Sequence, residues 1–328
     1  MKILVVGLGS MGKRRVRLLQ SSGIDLTIAG VDASPARRQE SERLYGIATF
    51  DSLPYAIDSF LPDAAFVSAP PAAHNEITHE LLLNGIHVFS EINLLSDGYD
   101  DNIALAKEKH LVLFLSSTPM YRKEIEYITD AVRNRDAVRY RYHVGQYLPD
   151  WHPWESYTDF FVGNKLTNGI RELLAIELPW LTGAFGEIVS FTSNGGKLTG
   201  LAIDYYDCYA MTVEHKNGVI GQLTIDLVCR KPIRELLVYG EEIFLRWGGT
   251  PDSLVNYDIP GKEEISVRCY DDVLRDNRYS DNIIENAYAA EIDDFFGQIS
   301  GHSAGPRHSF EADKEILALI DRIEGKML

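Results

Sequence analysis

The chain has 328 residues, of which 45% are hydrophobic and 24% are charged, a composition that is typical of globular proteins and excludes a disordered chain. This length exceeds what one hydrophobic core usually holds and favours two domains. The formal net charge of −16 repels phosphate backbones and anionic lipids, so we expect neither nucleic acid nor a membrane as a partner.

The cysteines and the N-terminus exclude two further classes. Cys208, Cys229 and Cys269 form no C-x-x-C pair, and no two histidines have metal-ligand spacing, so the pattern predicts neither a disulfide framework nor a metal site. The first apolar run ends at Gly7, too early for a signal peptide or a membrane span. We therefore expect a cytoplasmic location.

The first 117 residues alternate short apolar strands with amphipathic helices. The predicted strands cover 2–6, 26–31, 63–68, 86–89 and 111–115, and the predicted helices cover 10–19, 35–45, 72–84 and 97–109. In the first helix we expect Arg14, Arg15 and Arg17 to point outward. Such crossovers imply a parallel sheet with helices on both faces, so we predict a doubly wound domain over residues 1–117.

From residue 118 the pattern becomes that of an α+β domain with an open, mostly antiparallel sheet. Predicted helices cover 120–134, 282–299 and 310–323, and predicted strands cover 137–144, 187–193, 205–214, 219–228 and 235–239. Asn217-Gly218 predicts a hairpin turn, and Asn194-Gly195-Gly196 predicts a second turn. We assign substrate binding and oligomerisation to this domain, residues 118–328, and α/β to the whole chain.

A glycine-rich turn follows the first predicted strand and opens the first helix. It reads Gly7-Leu8-Gly9-Ser10-Met11-Gly12, and Asp32 ends the next strand, 25 residues after Gly7, close to the offset of about 20 in dinucleotide-binding Rossmann domains. The glycines permit a tight turn, approach to the pyrophosphate and close helix packing, and the helix N-terminus attracts the phosphates. The alternative is a Rossmann-like domain with a relic site.

Asp32 decides the expected choice of nucleotide. Its carboxylate accepts hydrogen bonds from ribose hydroxyls and repels a 2′-phosphate, which favours NAD over NADP. Arg37 and Arg38 are placed to fold back over a phosphate and favour the opposite choice. We expect NAD(H) as the cofactor, with NADP(H) as the weaker candidate.

Two further segments resemble one protein family. Residues 63–74 read Asp-Ala-Ala-Phe-Val-Ser-Ala-Pro-Pro-Ala-Ala-His, and residues 288–309 hold a helix followed by a Ser-Gly, Pro and His-Ser linker. With the glycine-rich turn, these resemble the glucose-fructose oxidoreductase, inositol dehydrogenase and rhizopine catabolism (Gfo/Idh/MocA) family over nearly the full length. The resemblance implies an NAD(P)-dependent enzyme acting on a hydroxyl carbon of a sugar, cyclitol or nucleotide-sugar, and a dimer or tetramer joined through the open sheet.

The motif and the resemblance together name the expected cofactor-binding residues. They are Gly7, Gly9, Ser10, Met11, Gly12, Asp32, Ala69, Pro70, His74 and Glu91. Glu91 matches the first residue of the family's Glu-Lys-Pro motif. Ile92 stands at the position of the proton-transferring lysine and cannot move a proton.

The family's second catalytic element, an aspartate followed four residues later by a histidine, is also replaced. Alignment on residues 180–186 places Glu172 at the acid position and Ile176 at the histidine position, and a slip of one residue places Glu177 there instead. We rank Glu172 first as the proton-transfer residue and His152 second, with Glu177 as the third candidate.

Residues 146–157 concentrate aromatic and titratable side chains. Aromatic faces stack on sugar rings, so we expect a carbohydrate ligand there, although such residues also serve core or interface packing. The resemblance also extends to members associated with surface polysaccharide and acidic-sugar biosynthesis. The expected substrate-binding residues are Tyr147, Trp151, Trp154 and Arg171.

Two functions of different classes follow. The first is an NAD-dependent oxidoreductase that acts on a sugar, nucleotide-sugar or related polyol, with the missing lysine and histidine replaced by other groups. The second, motivated by Ile92, is a non-redox homologue that binds a ligand, regulates, or holds NAD structurally or transiently.

Overall fold

The fold comes from a computed structural model, which describes residues 1–133, 135, 137–151, 156–276, 280–303 and 305–325. The chain forms two compact units. The first comprises Met1–Ser117 and Tyr288–Ala318, and the second comprises Thr118–Ala287 and Leu319–Leu328. The first unit therefore includes residues 288–318, which the sequence pattern placed in the second domain.

The first unit is built on a parallel sheet in the order β3-β2-β1-β4-β5-β6. Its strands are β1 (Lys2–Val6), β2 (Thr27–Val31), β3 (Ala48–Phe50), β4 (Ala64–Val67), β5 (His87–Ser90) and β6 (Leu113–Leu115). Its helices within residues 1–117 are α1 (Ser10–Ser21), α2 (Pro35–Tyr45), α3 (Leu53–Phe60), α4 (His74–Leu83) and α5 (Tyr99–Glu108). The predicted doubly wound parallel sheet is confirmed, and the strand order reverses between β1 and β4, the point where such sheets bind dinucleotides.

The second unit is built on a sheet in the order β14-β13-β12-β11-β7-β10-β9-β8. Its strands are β7 (Arg139–Gly145), β8 (Ile188–Gly196), β9 (Cys208–His215), β10 (Ile220–Asp226), β11 (Ile233–Gly240), β12 (Ile243–Trp247), β13 (Val255–Asp258) and β14 (Glu263–Ser266). Neighbouring strands are antiparallel except for the parallel pair β7 and β10. The predicted open, mostly antiparallel sheet is therefore confirmed.

The remaining helices are α6 (Lys123–Val132), α7 (Gly169–Phe185), α8 (Glu285–Ile299) and α9 (Phe310–Ile323). In the second unit, Trp180 of α7 packs edge-on against Tyr142 of β7 at 5.2 Å between ring centroids. Tyr142 is buried, whereas its neighbours Arg141 and His143 are exposed and half-buried. This alternation shows that α7 covers one face of the sheet and leaves the β7 side chains of the other face open.

Two local predictions are wrong. Arg14 and Arg15 of α1 are buried, with 3% and 0% exposure. The Arg14 guanidinium lies over the Tyr288 ring, and Arg15 pairs with the carboxylates of Glu91 and Glu291. The expected turn at residues 194–196 is the end of β8, where a Cβ at Gly195 would lie 2.6 Å from the rings of Tyr206 and Tyr209. Glycine is needed there to make room for aromatic packing.

The Asn217-Gly218 hairpin is confirmed, with Gly218 at φ +84° between antiparallel β9 and β10. None of the described helices combines the length and the apolar composition needed to cross a bilayer.

Candidate active site

The glycine-rich turn adopts a shape that only glycine permits. Gly7 has φ +93°, and a Cβ on it would lie 2.6 Å from the Ser68 carbonyl oxygen. A Cβ on Gly12 would lie 1.8 Å from the Gly7 carbonyl oxygen. Gly9 differs, because a Cβ there would meet no described atom within 4 Å. Gly7 and Gly12 are thus required for packing, and Gly9 leaves its backbone open to a ligand.

Helix α1 begins directly after this turn, at Ser10. Its N-cap is Gly9, and within the described part of the chain no side chain caps it and no acidic residue stands in its first turn. Ser10 and Met11 form the start of the helix. The first-turn N–H groups of a helix have no acceptor within the helix, and together with the positive end of the helix dipole they make this N-terminus a site for an anion such as a pyrophosphate.

Asp32 lies beside the same turn, immediately after β2. Its Oδ2 accepts a hydrogen bond from the backbone N–H of Leu8 at 2.8 Å, and its Oδ1 accepts one from the N–H of Ser34 at 2.8 Å. The side chain is 8% exposed. The structure therefore brings the turn and the predicted ribose-binding carboxylate together, with spare acceptor lone pairs on both oxygens.

The two arginines that could favour NADP have different surroundings. Arg38 donates to the backbone carbonyls of Asp32 and Ala33 at 2.7 and 3.1 Å. The Arg37 side chain is 52% exposed, and its Nη1 lies 3.7 Å from Asp32 Oδ2. Arg38 is thus bound to the backbone, whereas Arg37 is the arginine positioned to move toward a phosphate.

His74 connects the loops that follow β4 and β5. Its ring nitrogens lie 2.6 Å from the Ala69 carbonyl oxygen and 2.6 Å from Asn93 Oδ1, and the residue is 3% exposed. Burial lowers the pKa of His74, which favours the neutral ring at neutral pH. His74 therefore holds the loop of Ala69 and Pro70 in position, and Asn93 is a member of this site that the sequence did not single out.

Glu91 belongs to a buried ion-pair network. Arg15 donates to both of its carboxylate oxygens at 2.6 and 2.9 Å, and Arg15 Nη2 also donates to Glu291 Oε2 at 3.0 Å. Burial by itself would lower the pKa of Arg15, but the charges of Glu91 and Glu291 raise it above its usual value. Arg15 thus fixes the loop after β5, where Ile92 is half-buried.

Helix α7 of the second unit carries Arg171 close to its N-terminus. Asn168 caps the helix by accepting from the Arg171 N–H at 2.8 Å. The Arg171 guanidinium donates to Asp321 Oδ1 and Glu324 Oε2, both at 2.7 Å, and the side chain is 3% exposed. These contacts orient Arg171 toward the end of α9, so its predicted role in substrate binding would require the ion pairs to open.

Glu172, the next residue, has a different environment. Its Oε2 is enclosed by protein and has no hydrogen-bond partner within the described part of the chain. Burial raises the pKa of Glu172 to about 8, because a carboxylate without compensating hydrogen bonds is costly to remove from water. This carboxyl group therefore exchanges a proton near neutral pH.

Tyr205 lies within electrostatic range of Glu172. Its hydroxyl donates to the Val162 carbonyl at 2.7 Å. Burial raises the pKa of Tyr205 to about 12, and the charge of Glu172 adds to that rise. The tyrosine therefore stays protonated and does not compete with Glu172 as a proton acceptor.

Glu177, five residues further along α7, is 1% exposed and fully paired. Its Oε2 accepts from the Tyr142 hydroxyl at 2.6 Å and from Trp180 Nε1 at 2.7 Å, and its Oε1 accepts from Arg234. This pattern is that of a structural carboxylate. The geometry thus favours Glu172 over Glu177 as a proton-transfer group.

The predicted carbohydrate segment is described in part. The Arg230 guanidinium lies 4.0 Å from the centroid of the Tyr147 ring, and its side chain is 70% exposed. Trp151 donates from Nε1 to the Gln146 carbonyl at 3.1 Å. The candidates His152 and Trp154 lie outside the described residues.

Comparison with a family profile identifies the nucleotide-binding part. The profile of the Gfo/Idh/MocA group, described as "Oxidoreductase family, NAD-binding Rossmann fold", matches residues 1–117. Residues 1–117 are thus similar to the NAD-binding domain of this oxidoreductase family. The predicted resemblance and the predicted NAD cofactor are thereby confirmed, and the open backbone at Gly9, the uncapped α1 and the Asp32 carboxylate fit that cofactor. The preference for NAD over NADP stays a prediction.

One relative is similar to part of the chain. A proposed UDP-kanosamine synthase oxidoreductase subunit from Amycolatopsis mediterranei (strain S699) is 33% identical over 123 residues, which are 37% of this chain and 34% of that protein. The match thus spans about a third of the relative's length.

Two solved structures share the fold. UDP-N-acetylglucosamine 3-dehydrogenase GnnA from Acidithiobacillus ferrooxidans has a TM-score of 0.77 and 19% identity, with coverage of 100% of this chain and 97% of that one. The WlbA dehydrogenase from Chromobacterium violaceum, solved with NADH and UDP-GlcNAcA, has a TM-score of 0.78 and 14% identity, with coverage of 99% and 93%. At these identities the likeness shows that the fold is shared.

Proposed function

We propose that the chain is an NAD-dependent dehydrogenase of a UDP-linked sugar, and that the Glu172 carboxyl group transfers the proton of the reacting hydroxyl. The observation that carries this proposal is the buried Oε2 of Glu172, which has no hydrogen-bond partner among the described residues, in a chain whose dinucleotide fingerprint is intact. The finer roles given below to single residues are parts of the same proposal.

The first unit supplies cofactor binding. The N-terminus of α1 would hold the pyrophosphate, and Asp32 would accept hydrogen bonds from the ribose hydroxyls of the adenosine half. A nicotinamide cofactor held there would supply the acceptor for the hydride of the carbon that bears the hydroxyl group. His74 and Arg15 act as positioning residues, since they fix the loops after β4 and β5 through Ala69, Asn93 and Glu91.

The second unit supplies the proton acceptor. Oxidation of an alcohol to a carbonyl releases one hydride and one proton, and Ile92 has no group that can take that proton. A carboxyl group with a pKa of about 8 accepts a proton in the oxidation direction and donates it in the reduction direction. A positioned base of this kind contributes about 10² to 10⁴ to the rate.

The substrate class is inferred from relatives and from local charge. The relative and the two structures described above are named for UDP-kanosamine, for UDP-N-acetylglucosamine or for a complex with UDP-GlcNAcA. A diphosphate is strongly anionic, and the net charge of −16 requires a local cation for its binding. Arg230, exposed over the Tyr147 ring, offers such a cation beside an aromatic face. Surface polysaccharide or acidic-sugar biosynthesis remains the predicted setting.

Ile92 favours one second candidate. Because the usual lysine is replaced by a side chain that cannot titrate, a non-redox protein that binds NAD without net turnover is the alternative. This alternative requires no proton transfer at Glu172 and therefore makes a different prediction for its variants.

A turnover assay separates the two candidates. Absorbance of the purified protein reports bound nucleotide, and a panel of UDP-hexoses, UDP-N-acetylhexosamines and UDP-hexuronic acids is then tested for NADH formation. We expect turnover with at least one of them, a loss of at least about a hundredfold in Glu172→Gln, and NAD affinity within about threefold of wild type.

Two further variants control this experiment. Glu177→Gln removes a carboxylate from the same helix. Because Glu177 is a structural group paired with Arg234, this variant should have a lower melting temperature, and at a temperature where it is folded it should retain turnover within about tenfold. Addition of Ile92→Lys to Glu172→Gln should not restore turnover. Absence of turnover with every UDP-sugar supports the non-redox candidate, and wild-type rates in both Glu172→Gln and His152→Ala would exclude the proposed bases.

A further inference from the structure

Three potential metal ligands converge on the open face of the second sheet, and none of them has a role in the proposed dehydrogenase reaction. They are His143 on β7, Asp226 at the end of β10 and Cys229 three residues later. We propose that these three side chains bind a divalent transition-metal ion of the zinc type. The site would link β7 to the turn that follows β10.

The distances between the ligand atoms are those of a contracted tetrahedral site. The Cys229 Sγ lies 3.5 Å from Asp226 Oδ2 and 3.8 Å from His143 Nε2, and these two atoms are 2.6 Å apart. Ligands at zinc bond lengths and tetrahedral angles are separated by about 3.3–3.6 Å. The sulfur–oxygen distance therefore already matches, and the sulfur–nitrogen distance exceeds the range by about 0.2 Å. The nitrogen–oxygen distance needs to open by about 0.7 Å, as expected when a metal replaces the proton between these two atoms.

The turn after β10 holds two of the ligands in a fixed orientation. Asp226 Oδ1 accepts from the backbone N–H groups of Val228 and Cys229, both at 2.8 Å. That leaves Oδ2 to face Cys229 and His143. Asp226 and Cys229 have an x₂ spacing, the short spacing that places two zinc ligands on one turn, and hydrogen bonds that orient a ligating carboxylate are typical of metal sites.

The arrangement does not fit a nucleophilic triad. In a triad the two ring nitrogens of histidine contact different partners, with the acid on one nitrogen and the nucleophile on the other. Here Asp226 Oδ2 and Cys229 Sγ both approach Nε2 of His143. Three donors that point at one another around a common centre are the geometry of metal ligation.

The charges of the site suit a divalent cation. Burial would raise the pKa of Asp226, but hydrogen bonds from His143, Val228 and Cys229 hold it below its usual value, so the carboxylate is anionic. Burial and the adjacent Asp226 raise the pKa of Cys229 to about 11, so the metal-free thiol keeps its proton. Metal binding forms a metal–sulfur bond and releases that proton to solvent. The ligand set of one nitrogen, one oxygen and one sulfur suits zinc or cobalt.

The site is accessible from solvent. The His143 side chain is 33% exposed, and His143 borders a concave region of the open sheet face with a volume of about 980 Å³. Three protein ligands leave a fourth position for water. A metal ion can therefore enter without unfolding of the sheet.

Metal titration of the full chain tests the proposal. The purified protein is treated with a chelator, dialysed and titrated with Zn²⁺ by calorimetry and with Co²⁺ by absorbance. We expect about one ion per chain, a thiolate-to-cobalt charge-transfer band, and a rise in melting temperature with Zn²⁺. Cys229→Ser should abolish the band, and both Cys229→Ser and His143→Gln should weaken zinc binding at least about a hundredfold.

The matched control is Cys269→Ser, which removes a thiol from the same unit and should bind both ions like wild type. Cys269 is preferred to Cys208 because Cys208 pairs with Asp226 across β9 and β10. Melting temperatures of the metal-free proteins establish whether each variant is folded. If Cys229→Ser does not fold, zinc binding by His143→Gln tests the proposed site. Substoichiometric zinc binding by wild type, or a charge-transfer band that persists in Cys229→Ser, would overturn the proposal.

Discussion

The buried carboxylates of the two units have opposite surroundings. In the first unit, Glu91 and Glu291 share the guanidinium of Arg15, which makes five contacts between 2.6 and 3.4 Å that include the Ser116 hydroxyl and the Tyr288 carbonyl. In the second unit, the protein encloses Oε2 of Glu172, which has no hydrogen-bond partner among the described residues. The first arrangement fixes charge in place, whereas the second leaves a proton free to move.

This difference indicates how the chain separates binding from chemistry. A paired buried carboxylate contributes rigidity, because removal of either partner leaves an uncompensated charge in the low-dielectric interior. An unpaired carboxyl group contributes no such rigidity, and its raised pKa makes it suited to proton transfer. Glu177 repeats the first pattern inside the second unit, so α7 itself carries one carboxylate of each kind.

The largest effect is expected when the paired site is broken. Arg15→Met keeps a long apolar side chain on α1 but leaves Glu91 and Glu291 facing each other without a cation. We expect the free energy of unfolding of the first unit to fall by about 3–5 kcal/mol. Urea denaturation followed by circular dichroism measures this change.

The control for Arg15→Met lies on the same helix. Lys13 pairs with Glu40 at a partly exposed position, and Lys13→Met should change stability by no more than about 1 kcal/mol. Equal losses in the two variants would show that the Arg15 network is no more important than a surface ion pair.

The sequence predicts most of the fold of the first unit. It did not lead us to expect the buried charged residues of that unit. The order of strand, glycine-rich turn and helix follows from local periodicity and from glycine spacing. Arg15 was placed outward because it is charged, although it precedes Leu18 and Leu19 by three and four residues and therefore shares their buried helix face. That spacing was the signal for its burial, and its partner Glu291 is distant in sequence.

The second unit was harder to predict because its important contacts are non-local. Strand β3 and helix α3 were also missed in the first unit, since each is short. His143 and Asp226 are 83 residues apart, so no spacing rule detects their convergence. Glu172 was ranked first only through its aligned position, and the pairing that distinguishes it from Glu177 depends on Tyr142 and Arg234, which lie on other strands.

Asp32 is a carboxylate of a third kind, because backbone N–H groups rather than a cation hold it in place. We expect an effect of intermediate size on nucleotide binding when it is replaced. Its oxygens accept from backbone N–H groups and retain acceptor capacity for a ribose. Asp32→Ala should weaken NAD(H) binding by about 1.5–3 kcal/mol and remove the preference over NADP(H). Isothermal titration with both nucleotides measures this.

Asp32→Asn separates charge from backbone support, because the amide oxygen still accepts from a backbone N–H. We expect it to bind NADP(H) better than Asp32→Ala does. Tighter binding of NADP(H) than of NAD(H) by the wild-type protein would mean that Arg37 governs the nucleotide choice.

The smallest expected effect concerns stability at the unpaired site. In the folded chain the Glu172 carboxyl holds its proton up to a pH of about 8, whereas in the unfolded chain it loses that proton near its usual pKa. The stability that this group contributes is therefore highest at low pH and falls as the pH rises to about 8. Glu172→Gln lacks this loss, so its melting temperature relative to wild type should rise by about 2–4 °C between about pH 5 and pH 8. A constant difference across this range would mean that Glu172 is solvated.

The pH dependence of kcat/KM, measured for wild type and Glu172→Gln with the UDP-sugar that gives turnover, tests the role of Glu172 most directly. For wild type we expect the rate of oxidation to rise through an apparent pKa near 8 and the rate of reduction to fall through the same value, because oxidation needs the carboxylate and reduction needs the carboxylic acid. In Glu172→Gln that titration should be absent and the rate lower by at least about a hundredfold. An unchanged pH profile in Glu172→Gln would contradict the assignment of the unpaired carboxyl group as the proton-transfer residue.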